Sequence, residues 1–298
     1  MSVSRIDLAD CGSPEKLVIE ILKAEADLPI PVPIEKLAYQ LGITDIKPLE
    51  ADGFIGGLIT NETKSTGVIL VSRDLKKGRR RFTIGHELAH LLIPTHQPGQ
   101  RDRFLCSMDD LLALDPKVAD RRKRWEAEAN RFSSLILIPP PIFREEANLG
   151  KDPDLQDVVQ LAARYEVSKE VAGRTYVDYR REPVAFILTH DGRVLRSYRR
   201  KNDFPFITVD WGGAVPRGSM LFRRRHEQSV ASEIEETDAS VWLDVSRGTR
   251  APTLFEQVYQ QQGGYALILL SIEALEEDDQ EDDRNWNRRS SKTFRDHP

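Results

Sequence analysis

Two histidines stand four residues apart, with a glutamate directly after the first, in the run Thr83-Ile84-Gly85-His86-Glu87-Leu88-Ala89-His90-Leu91-Leu92. No other feature narrows the fold as much, because this spacing converges only on an α-helix. There, side chains at i and i+4 lie one turn apart on the same face, so both imidazoles can reach one point. Phe82, Gly85, Ala89 and Leu92 mark the packed side of such a helix, predicted over residues 77–93 and stopped by Pro94. Two imidazoles so placed suit a tetrahedral metal ion, and Glu87 sits beside them where it can take a proton from a water. The plainer alternative is an amphipathic helix whose histidines face solvent. Against it, two of only six histidines fall here around one glutamate.

A catalytic zinc site needs a third protein ligand and one open position. A second long helix, predicted over residues 120–137 and ended by Pro139-Pro140-Pro141, offers Glu126, Glu128 and Asn130. Glu126 and Asn130 are one turn apart and share a face, whereas Glu128 points roughly the other way. Spacing leaves either glutamate open as the ligand. For Glu128 the plainer reading is a surface residue. Between the two helices, Cys106 is an alternative metal ligand and His96 a group able to approach the metal. A buried, inert thiol is the plainer reading of Cys106.

Together these segments resemble the ImmA/IrrE family of zinc-dependent peptidases. The resemblance is carried by Phe82-Thr83 leading into His86-Glu87 and His90, and by Glu126, Ala129, Asn130, Phe132, Leu137 and Pro139 of the second helix. The chain departs from the family at Ala89, Ser133 and Ile136, where glycine, alanine and leucine are usual. Residues 32–38 with Leu41-Gly42-Ile43 resemble the family's N-terminal helices. The resemblance implies zinc, with manganese as its alternative, held by His86, His90 and Glu126. It further implies Glu87 as the base and Asn130 as the group that orients a ligand histidine. Phe54, Ile55, Gly56 and Gly57 fall where the family has an edge strand near the cleft, and an edge strand can pair with an extended substrate. A glycine-softened hairpin without a ligand is the alternative. The implied substrate is a helix-turn-helix transcriptional repressor, cut to switch on a stress-response or mobile-element operon.

The implied fold class is α+β: a zincin-like helical metallopeptidase domain with a small sheet, a helix-turn-helix-like helical pair, and a C-terminal mixed α/β, GAF-like domain. Residues 14–42 read as two short helices, and Phe54–Thr60 with Gly67–Ser72 as a hairpin. A short helix is predicted near residues 108–114. The triple proline marks the expected end of the first domain at residue 142, followed by the helical pair at 143–182. Strands are predicted at residues 184–189, 194–199, 206–209, 240–245 and 265–271 within a domain over 183–275, and 276–298 reads as a disordered charged tail.

Within the helical pair, Leu155–Tyr165 and Lys169–Tyr179, the second helix offers Lys169, Arg174, Arg180 and Arg181 to a DNA groove, while Glu170 and Asp178 oppose phosphate contact. The rival function is therefore a DNA-binding regulator with a structural zinc site, and a third is a proteolytic partner in a toxin–antitoxin pair. A net charge of -5 gives no global nucleic-acid footprint. The basic runs at 76–81, 121–124, 196–201 and 223–225 read as solvated faces. Two cysteines far apart fit a reducing compartment, and with no apolar segment of membrane-spanning length the expected location is the cytoplasm.

Overall fold

Caps and apolar spacing account for the first elements. A computed structural model of the chain describes residues 2–49, 53–97, 103–107, 120–245 and 251–273. The Ser13 hydroxyl caps α1 (Pro14–Ala24), and Leu17, Val18 and Ile21 turn inward as their spacing requires. α2 (Ile34–Gln40) buries Leu37 and Ala38, and the chain then turns through Gly42 at φ +101°, a left-handed conformation that favours glycine. β1 (Ile43–Leu49), β2 (Phe54–Thr60) and β3 (Gly67–Ser72) follow, joined in one sheet by β4 (Arg103–Ser107). The strand order is β1-β3-β2-β4, with β1 parallel to β3 and β2 antiparallel to both its neighbours.

The β2–β3 hairpin is the one read from the sequence, but β2 is not an edge strand. Phe54, Gly56 and Gly57 pair with Ser107, Cys106 and Leu105, so β4 takes the edge expected of residues 54–57. β4 was hidden because its partner lies some fifty residues back in the chain, and no turn signal beside it announces the pairing.

α3 (Lys77–Leu92) and α4 (Arg121–Leu137) are the long helices, the second capped by Asp120. They cross closely at Gly85, where an added Cβ would stand 2.6 Å from Ser133 Oγ. Ser133 Oγ donates to the Phe82 carbonyl at 2.7 Å, which gives a physical role to one departure from the family pattern. The triple proline does more than end α4. Pro140 and Pro141 open α5 (Pro140–Glu146), whose first turn needs no proline N–H, and Phe143 is buried in the same core as α3 and α4. That core continues into α6 (Leu155–Tyr165) and α7 (Lys169–Tyr179), which are joined through Glu166 in the left-handed region.

β5 (Val184–His190), β6 (Arg193–Arg199), α8 (Met220–Arg223), β7 (Glu235–Thr237), β8 (Leu254–Gln260) and β9 (Tyr265–Ile272) complete the described chain. Their sheet has the order β6-β5-β9-β8-β7, antiparallel throughout. Phe186, Leu267 and Leu269 share the main core with α7, while Ile187, Ile268 and Leu270 point into a second core around Trp242. Period-two alternation on a sheet covered on both faces produces this split. Residues 206–209 and 240–245, expected as strands, meet only at the isolated bridge Ile207–Leu243, and Ala239–Val241 is a short 3-10 turn. Apolar runs this short serve equally well in irregular segments folded over a core. The helix expected near 108–114 and the charged tail of 276–298 lie outside the described residues. Among the described residues, no helix is long and apolar enough to cross a membrane.

Candidate metal centre

α3 buries Ile84, Leu88 and Leu91, and it buries His86, Glu87 and His90 as well. α4 likewise buries Glu126 and Asn130 among Ala129, Phe132 and Ile136. Charged and polar groups stay buried only where they find one another. His86 Nε2 lies 3.1 Å from Glu126 Oε2 and 3.1 Å from His90 Nε2, and His90 Nε2 lies 3.5 Å from Glu126 Oε2. Around a tetrahedral ion with bonds of about 2.0–2.1 Å, ligand atoms stand roughly 3.3 Å apart. The triangle fits that geometry, and its N2O donor set suits a divalent transition ion. Among the described residues, His86, His90 and Glu126 form the one cluster of at least three potential metal ligands.

Each imidazole is also held from behind. His86 Nδ1 donates to Asn130 Oδ1 at 2.8 Å, so its Nε2 lone pair faces Glu126 and His90. His90 Nδ1 lies 3.0 Å from His96 Nδ1, and His96 Nε2 lies 2.9 Å from Glu128 Oε2. Phe104 of β4 stacks on His90 with ring centroids 4.6 Å apart. Burial disfavours charge on Glu126, but hydrogen bonds and charge from His86 and His90 outweigh it and hold the carboxyl well below the usual carboxylate range. Burial, reinforced by neighbouring His90, pushes His96 far down and keeps it neutral.

Glu87 is fully buried against β2. A Cβ added at Gly56 would fall 2.7 Å from Glu87 Oε1 and 2.4 Å from Thr83 Cγ2, so this glycine makes room for the glutamate itself. Glu128, the alternative ligand, is not in the cluster. It lies two residues past Glu126, more than half a turn around the helix, and its carboxylate is engaged by His96. It is not the solvated surface residue of the plainer reading either. Cys106 pairs with Gly56 across the sheet, and its side chain lies outside the described residues. The sequence marks His96 only as a group able to approach the metal. Its partnership with Glu128 depends on a chain reversal after Pro94 that no local pattern specifies.

The second helix of the pair turns one face into the C-terminal sheet. In α7, Ala172, Gly173, Tyr176 and Val177 are buried, and a Cβ at Gly173 would strike the Phe186 ring at 2.5 Å. Arg180, one of the cations available for phosphate, is buried and donates to the carbonyls of Ala147 and Lys151. Glu170 accepts from the Tyr198 hydroxyl on β6. Cations of the 76–81 run are also occupied, with Lys77 paired to Glu166 and Arg80 to Glu35.

Among curated proteins, none matches this sequence. Among solved structures, a Mycobacterium tuberculosis transcriptional regulator aligns over 87% of this chain and 87% of its own, with a TM-score of 0.48 and 16% identity. That likeness is too distant to speak for function. The family comparison covers the metal centre: residues 51–176 match Peptidase_M78, the IrrE N-terminal-like domain. The family is metal-dependent, and the three converging ligands are compatible with that chemistry. Residues 51–176, which hold all three converging side chains, are therefore similar to the IrrE N-terminal-like domain of the Peptidase_M78 family.

Proposed function

We propose that this chain is a zinc-dependent, site-specific endopeptidase whose substrate is a helix-turn-helix transcriptional repressor. Cleavage would switch on a stress-response or mobile-element operon in the cytoplasm. The observation that carries the reading is the convergence of His86, His90 and Glu126 beside the buried carboxylate of Glu87. Held by the three ligands, zinc (or manganese in its place) supplies Lewis acidity that polarises a carbonyl and brings a water's pKa towards neutrality. Glu87 takes the proton of the attacking water and passes it to the departing amine. Asn130 keeps the His86 ring turned towards the centre. Because both sides of β2 are paired, an extended substrate would add to the outer edge of β4 rather than to Phe54, Ile55, Gly56 and Gly57 themselves, while Gly56 leaves room for the base from within. The helical pair braces this domain against the C-terminal sheet, which we read as a sensing module.

Two observations weigh against the rival, a DNA-binding regulator with a structural zinc. A structural site is closed by four protein ligands, whereas three converge here among the described residues. Of the cations that the second helix and its end would offer to a groove, Arg180 is buried and spent on backbone carbonyls. A toxin–antitoxin role would use the same chemistry on a different substrate.

Metal content and cleavage test the proposal together. Wild-type protein is expected to hold one equivalent of zinc, and Glu126→Ala to lose it. Glu87→Gln should keep the metal and lower cleavage of a purified repressor by about 10²–10⁴-fold. Folded wild type that takes up no metal from a zinc-supplemented buffer would overturn the reading. So would a Glu87→Gln variant that cleaves at the wild-type rate.

A further inference from the structure

Resting on that metal centre, we propose that His96 and Glu128 form a relay that fixes the proton and the orientation of the ligand His90. The two are positioning residues: neither belongs to the ligand cluster, and each acts through the next. The chain of contacts is continuous, from Glu128 Oε2 to His96 Nε2 at 2.9 Å and from His96 Nδ1 to His90 Nδ1 at 3.0 Å.

Proton accounting gives the relay its direction. An ionised carboxylate only accepts, so His96 Nε2 must carry a hydrogen. A neutral imidazole has one N–H, which makes His96 Nδ1 an acceptor. His90 Nδ1 must then donate, and the only remaining lone pair on His90 is at Nε2, the atom facing Glu126 and His86. Without Glu128, the His96 proton is free to sit on Nδ1. His90 Nδ1 would then have to accept, which places a hydrogen on Nε2 and blocks it as a ligand.

The relay is a built feature. His96 is fully buried, with its ring 4.9 Å from that of His90 and 5.5 Å from that of Trp125. The reversal that brings it back is anchored by Lys64, whose ammonium donates to the carbonyls of His90 and Ile93. On the other ligand, Asn130 does the equivalent work for His86 in one step. The two histidines are thus held by different devices, a direct amide and a two-residue chain.

The test is zinc affinity, measured by chelator competition on the full chain, with the visible spectrum of the cobalt-substituted protein as a report on ligand geometry. Glu128→Ala and His96→Phe should each weaken zinc binding about 10–100-fold, the range seen when such orienting partners are lost. Both should alter the cobalt spectrum while thermal melting of the metal-free protein stays unchanged. Glu128→Gln still offers an oxygen acceptor and should bind near the wild-type level. The double variant should be no weaker than His96→Phe alone, because the two act in series. Wild-type affinity in both single variants, or a double variant showing the sum of two losses, would overturn the relay. If His96→Phe fails to fold, the contrast of Glu128→Ala with Glu128→Gln decides alone, and equal affinities overturn it. A wild type that binds no zinc would instead overturn the peptidase reading together with this one.

Discussion

α3 meets α4 where Gly85 lies against Ser133, and α7 meets the C-terminal sheet where Gly173 lies under Phe186. Both junctions use a glycine for close approach, and each involves a helix opened by a side-chain cap, Asp120 on α4 and Ser168 on α7. What they enclose differs. Between α3 and α4 lie His86, His90, Glu126 and Asn130, while α6 and α7 bury Leu155, Val158, Leu161, Ala172 and Val177. Buried apolar groups need only a partner of suitable shape. Buried polar groups need named partners at hydrogen-bond distance, so the first junction specifies geometry and the second mainly supplies stability.

That contrast can be broken most sharply at Glu87, the proposed base. Gly56→Ala forces Glu87 and Thr83 to shift; on the proposed function, a displacement approaching an ångström at the proposed base lowers turnover about 10²-fold with metal content unchanged. Turnover on the proposed repressor substrate and metal analysis together check this. Next are the two junction glycines. Gly85→Ala and Gly173→Ala overpack their crossings and should each destabilise by about 1–3 kcal/mol in denaturant titrations. Only Gly85→Ala should also weaken zinc binding, because only that crossing sets ligand distances. Equal loss of metal in both variants would erase the distinction.

Lys64 gives a smaller effect with a pH signature. Burial, assisted by Arg5, lowers its pKa from 10.5 to about 8. Between those values the unfolded chain binds more protons than the folded one, so this residue makes stability rise with pH from about 8 to 10.5. Below that window the penalty of the buried charge is present in full. Lys64→Met should remove this rise, and by stranding the carbonyls of His90 and Ile93 should destabilise by about 1–3 kcal/mol near neutrality. Denaturation midpoints across the pH series read both effects. The smallest change is expected at Lys169→Ala, within about 0.5 kcal/mol of wild type and without effect on duplex DNA retention. A salt-dependent loss of DNA binding would restore the groove-reading role of α7.

The pairing of His86 with His90 could be read from the sequence because side chains at i and i+4 share one face of any α-helix, whatever surrounds it. Asn130 was legible for the same reason, one turn from Glu126. The hairpin of β2 and β3 and the helices α6 and α7 follow equally local rules of alternation and capping. Other features depend on groups distant in sequence. β4 became the edge strand by pairing with β2, and Pro140 and Pro141 opened a helix inside a continuing core. Glu128 found His96 only after the chain reversed behind Pro94. The sequence by itself determined which side chains stand on one helical face, since 3.6 residues per turn is a property of the backbone. Tertiary structure alone decided which glutamate joined the cluster and which strand covered the base, because those depend on what packs from elsewhere in the chain.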